Sequence, residues 1–209
     1  MTSMGRYDEA AELLSLPIPN VMFNTRFGLH YLLARGHYYL AAGRPSAALG
    51  NFNTCGDLMA EWGLDQPAVV PWRTGASLAW LQLGDREQAK RLAEQQLSMV
   101  SDGELRTYGI SLRLLAVTSP LKERVPLLTD AVTALQKHGD QLELARTLAD
   151  LGRVHCALGD HRRAAMISHQ VRQLAEACHA APLVAEAVRD IRLAESPGWV
   201  RTSRAAWTA

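Results

Sequence analysis

Charge of one sign is what this sequence most clearly lacks: 22 Lys and Arg stand against 21 Asp and Glu in 209 residues, a net charge of +1, with no long basic run. The electrostatic footprint selected by a phosphate backbone or an anionic membrane is therefore missing, and neither direct nucleic-acid binding nor membrane association is expected. Cysteine is scarce. Cys55, Cys156 and Cys178 are far apart, odd in number and without C-x-x-C spacing, which supports neither a disulfide framework nor a zinc ribbon and suits a reducing, cytoplasmic compartment. No stretch reaches about 18 consecutive apolar residues, and MTSMGRYDEAAELL puts Asp8, Glu9 and Glu12 where a signal peptide needs an apolar centre. No export or membrane-spanning segment is expected. What is present is a 48% apolar fraction well mixed with charge, enough for one core or a short stack of repeats and too much for a disordered chain.

The most informative pattern is a recurring joint, in which glycine follows a helical stretch and a charged or turn residue precedes a new Ala-containing helix. It occurs as GRYDEA from Gly5, GRPSAA from Gly43, GDREQA from Gly84 and GDHRRA from Gly159. Glycine suits the left-handed position that ends a helix, Asp85 and Asp160 suit the cap of the next, and the alanine lets the second helix pack closely. Gly43 and Gly84 are 41 residues apart and Gly84 and Gly159 are 75 apart, so a further repeat without a glycine joint is expected between the last two. Leu105 to Val117 reads as its first helix, Ser119-Pro120 as the break and Leu121 to Gln136 as its second helix. Repeats of this length with two helices each imply an all-α solenoid of stacked helical hairpins, whose core is supplied by stacking.

Matching offsets support the repeat. Leu148, Leu151, Gly152 and His155 before Gly159, with Ala164 and Val171 after it, correspond to Leu32, Gly36, Tyr39, Ala48, Phe52 and Cys55 in the earlier unit, and Ala76, Ser77, Trp80 and Ala89 follow more loosely. Large Tyr39 and Phe52 fill space between helices while Gly36 and Ala48 let backbones approach. At the N-terminal end, GRYDEAAELL begins at a joint with no first helix before it, an incomplete hairpin. Pro182 to Glu195 reads as a last helix, and 196–209 as a short tail carrying Trp199 and Trp207 beyond a single repeat domain of 1–195.

These motifs resemble tetratricopeptide-like repeats, and the run PWRTGASLAWLQLGDREQAKRLAEQQL from Pro71 to Leu97, with Leu142 to Asp160, resembles the helical-repeat region of large ATP-binding LuxR-type transcriptional regulators. The likeness covers roughly residues 5 to 195. It implies antiparallel hairpins in a right-handed solenoid and a bacterial protein tied to transcriptional regulation. In that family the repeats lie between a nucleoside-triphosphatase module and a terminal helix-turn-helix domain. This chain has no G-x-x-x-x-G-K-S/T phosphate loop and only about a dozen residues after Glu195, so neither nucleotide hydrolysis nor DNA reading is assigned to it.

In such solenoids the first helices line the concave face. That rule gathers His30, Leu33 and His37 from one repeat, Thr74 and Leu78 from the next, Arg146, Ala149 and Arg153 from the last, and Arg113 from the glycine-less one. Two arginines seven apart suit a bidentate clamp for a carboxylate-bearing peptide or effector; pairing with Glu143 or Asp150 on the same helix is the competing and slightly favoured expectation. His30 and His37 alone do not make a metal site. His155, Cys156, Cys178 and His179 invite a thiol-imidazole pair, but His155 falls at the offset of Tyr39 and is expected in the packing. Trp72 and Arg73 are expected at the helix interface and against the preceding helix end. Arg162-Arg163 suits a solvated cap. The chain is thus expected to be a noncatalytic interaction or effector-sensing module without cofactor or metal, binding a protein, peptide or small effector, with homodimerisation through terminal repeats as the alternative and a hydrolase or transferase as the remote one.

Overall fold

The glycines at the joints hold the backbone that other residues adopt only under strain. Gly84 closes one helix at φ +87° and Gly159 another at φ +85°, and in each case the next residue caps the helix after it: Asp85 accepts a hydrogen bond from the Gln88 amide at 3.0 Å and Asp160 from the Arg163 amide at 3.1 Å. In the computed structural model, which describes residues 1–195, these joints connect ten α-helices: α1 (Tyr7–Ser15), α2 (Arg26–Ala41), α3 (Pro45–Glu61), α4 (Trp72–Leu83), α5 (Arg86–Ser98), α6 (Leu105–Thr118), α7 (Leu121–His138), α8 (Gln141–Ala157), α9 (His161–Ala177) and α10 (Ala181–Glu195). Short 3-10 turns at Thr2–Met4 and Asn20–Asn24 precede α1 and α2.

From α2 onward, consecutive helices pack on one another, and every second helix from α2 to α10 also touches the next of its own row. The even-numbered helices therefore form an inner row and the odd-numbered ones an outer row. This is an all-α, stacked, solenoid-like architecture. The helices of the glycine-less repeat end within two residues of their expected bounds, because Ser119 is extended and Pro120 forbids continuation. One joint escaped the repeat pattern: Gly139, at φ +90°, with Asp140 capping α8 through the Glu143 amide at 3.0 Å. The same Gly-Asp pair is written in the sequence, but between units rather than within one. The expected tail lies outside the described residues.

Small residues set the helix spacing. Phe52 of α3 is wholly buried in a slot between Gly36 of α2 and Gly75 of α4, where a Cβ on either glycine would overlap its ring. Trp72 lies over Gly56 in the same way. Ala76, Ala79, Ala89 and Ala93 are fully buried where α4 and α5 meet. Gln96 is buried with its amide satisfied, Nε2 donating to Ser111 Oγ and Thr74 Oγ1, both at 2.9 Å, so one side chain ties α5 to α6 and α4. The core continues through Leu114, Leu128, Leu135, Leu148, Val171 and Leu183.

Candidate functional site

The inner row lines a groove of about 1100 Å³. Its walls come from α2 (Leu33, Ala34, His37), α4 (Thr74, Leu78, Leu81, Gln82), α6 (Arg106, Ile110, Arg113), α8 (Leu142, Glu143, Arg146, Ala149, Arg153) and α10 (Pro182, Leu183, Glu186); no residue of α3, α5, α7 or α9 contributes. Eight of the nine residues expected on a concave face are thereby brought to one surface: Leu33, His37, Thr74, Leu78, Arg113, Arg146, Ala149 and Arg153. His30 is the exception. It is exposed and lies outside the lining: it stands two turns before His37 on the same face of α2, beyond the end of the lined stretch of that helix, which runs from Leu33 to Ala41.

One end of the groove is apolar and the other charged. At the charged end Arg113 Nε donates to Asp150 at 2.6 Å and its Nη1 lies 3.4 Å from Glu143. Arg146 Nη1 donates to Glu143 at 2.5 Å and Arg153 Nη2 to Asp150 at 2.6 Å. Arg153 also stands 3.6 Å from Glu186 and 3.7 Å from Asp190. Burial would raise the Asp150 carboxyl, but Arg113 and Arg153 outweigh it and hold Asp150 below the usual carboxylate range; Asp190, partly buried with weaker compensation from Arg153, is pushed up. The arginines are therefore satisfied by the protein's own carboxylates, and the arrangement is a cross-linked wall rather than an open clamp. A ligand carboxylate would have to displace Glu143 or Asp150 to be held bidentately.

His37 packs edge-on against Phe52, with ring centroids 5.3 Å apart, and burial, followed by the Arg146 charge, lowers its pKa. A neutral imidazole facing the groove results. The other titratable pairs are structural. His155 is buried, its Nδ1 3.8 Å from Asp160, and burial lowers its pKa. Cys156 faces not His155 but His161, at 3.7 Å, and burial raises its thiol, the reverse of what an activated nucleophile needs. Cys55 is buried and pushed up to about 11. Among the described residues no group of three His, Cys, Asp or Glu side chains is placed to hold a metal ion. Trp72 and Arg73 share one anchor: Asp65 accepts from Trp72 Nε1 at 3.0 Å and from both terminal nitrogens of Arg73 at 2.7 and 2.5 Å, which staples the start of α4 to the loop after α3.

The offset rule did not anticipate what covers the groove. Met1, Thr2, Ser3, Tyr7, Ala10, Leu13 and Leu14 also line it, and the Thr2–Met4 turn touches α10. The signal was in the sequence: Tyr7, Ala10 and Leu14 recur at the spacing of one helical face, with acidic residues between them. The joint pattern, in which GRYDEAAELL begins at a joint, grouped them as an incomplete hairpin without saying which surface they meet.

Comparison with protein-family models and with curated proteins returned no match. Among the described residues no helix is long and apolar enough to cross a membrane.

Proposed function

We propose that this chain is a noncatalytic recognition module that binds a peptide or helical segment of a protein partner in the groove of its inner helices. The observation that carries this reading is the groove itself, assembled from five helices along the whole stack, with leucine-rich walls and a neutral histidine. Grooves of this kind take apolar anchors from extended or helical segments. In this reading the helix pairs are tetratricopeptide-like antiparallel hairpins in a right-handed solenoid, related to or derived from the repeat region of a LuxR-type transcriptional regulator. The Gly-Asp joints and the Pro71–Leu97 run, with its Trp72 and Arg73 staple, support that relationship.

Selection of a random peptide library against the full chain tests the reading. Ala34 lines the groove yet is exposed, so Ala34→Arg blocks the site without burying a charge, whereas Met166 on α9 lies outside the lining. Selected peptides are expected to bind Ala34→Arg at least about tenfold more weakly and Met166→Arg unchanged, a loss of about 1.4 kcal/mol or more. Peptides that ignore Ala34→Arg would refute a groove site.

A further inference from the structure

We propose that residues 1–15 are an exchangeable occupant of the groove, and that the partner segment replacing them is a short amphipathic helix with an apolar face of the same spacing. The inference rests on the groove being a recognition surface and names what that surface recognises. The segment crosses the groove from end to end. At one end Tyr31 Oη of α2 donates to the Leu14 carbonyl at 3.3 Å; at the other Arg146 Nη2 of α8 donates to Ser3 Oγ at 3.0 Å, and a Cβ on Gly5 would lie 3.4 Å from the Pro182 ring of α10. Between them Tyr7, Ala10, Leu13 and Leu14 line the groove while Asp8, Glu9 and Glu12 stay exposed. This is the manner in which an amphipathic helix docks in a groove, read from anchors three, four and seven residues apart.

Its seat is light for a helix in such a place. Ala10 is the one buried residue of α1 and the Thr2–Met4 turn buries none, whereas α4, in the same groove, buries four. Tyr7 remains 40% exposed and Leu13 52%. Nine residues fall below the roughly 12–15 at which an isolated helix becomes even marginal in water. The link to the rest of the stack, Leu16-Pro17-Ile18-Pro19, is extended at Leu16 and Pro19 and carries two residues that cannot continue a helix. Few buried contacts and a proline-bearing hinge place this segment at the low end of local stability. Its release would expose the groove's leucines and free the Arg146 nitrogen now held by Ser3, leaving a place for a hydrogen-bond acceptor at one end of the incoming helix.

The test uses the full chain and a fluorescein-labelled synthetic peptide of residues 1–16, read by anisotropy. Ala10→Arg and Leu14→Asp, made separately, weaken the internal seat. Because apparent affinity scales with the fraction of open molecules, each variant is expected to bind the peptide at least about tenfold more tightly than the parent chain, and adding Ala34→Arg to Leu14→Asp to abolish that binding. Equal affinities, or no binding by either variant while their circular dichroism stays helical, would overturn the proposal. If both variants unfold, the parent chain decides: saturating peptide is expected to speed amide exchange in Tyr7–Ser15 about tenfold and leave α8 unchanged, and unaltered exchange in α1 would overturn it. Doubling of mass on opening, in place of peptide binding, would assign the groove to a second copy and also overturn it. Library peptides that bind at the Ala34 face of both parent and variants with equal affinity would sink the exchangeable occupant while leaving the recognition groove standing; peptides indifferent to Ala34→Arg would sink both.

Discussion

Phe52 shows how much of this fold depends on residues that are small. Its ring is wholly buried against Gly36 and Gly75 on helices either side of α3, so the largest side chain of the joint is accommodated by removing two others. An exposed glycine in a helix is ordinarily improved by alanine, by about 1 kcal/mol. At Gly75 the sign reverses, since a methyl group there overlaps Phe52 and overpacking costs about 1–3 kcal/mol. Gly75→Ala is expected to destabilise the chain in urea unfolding, and to become neutral or stabilising when combined with Phe52→Leu, a coupling characteristic of side chains in contact. Additive effects would contradict the packing. At this scale the pairing of Arg146 with Glu143 and of Arg153 with Asp150 was legible, because three residues along a helix bring side chains together. The bond from Arg113 to Asp150 joins α6 to α8 and was not: local spacing says nothing about which helices become neighbours.

Between elements, the joints were the most readable feature. Glycine and aspartate declare both the left-handed helix end and the next cap at Gly84 and Gly159, and the Ser119-Pro120 break marks where α6 gives way to α7. Gly139-Asp140 has the same chemistry but falls between units rather than within one, so the repeat period does not single it out. A pair of substitutions separates backbone from packing. A Cβ added at Gly84 or at Gly50 would meet no atom within 4 Å, yet Gly84 sits at φ +87° and Gly50 lies within α3. Gly84→Ala is expected to cost about 1–2 kcal/mol and Gly50→Ala to gain up to about 1 kcal/mol, measured by thermal or urea unfolding. Equal effects would mean that the left-handed joint does not hold the helix pair. The place of α1 could not be read at this scale. Its amphipathic face was visible in Tyr7, Ala10 and Leu14, but an apolar stripe specifies that a surface will be covered, not which one.

For the whole molecule, two rows of helices produce one inner surface, and that surface carries eight of the residues that shared offsets had grouped together. The geometry explains the grouping: residues on the same face of successive inner helices must meet along the groove. The chemistry there is the pairing that was slightly favoured, since the arginines are already bonded to Glu143 and Asp150, and the apolar walls left to a partner include Leu33, Leu78, Leu81, Ile110 and Leu183. The proposed recognition is by apolar anchors along the inner row. Methyl-resolved NMR of the full chain titrated with a library-selected peptide tests it most directly: shifts are predicted at Leu33, Leu78, Leu81, Ile110 and Leu183, with Leu127 of α7 and Leu174 of α9, on the outer row, unmoved. Shifts concentrated on Leu127 and Leu174, with the groove methyls silent, would contradict it.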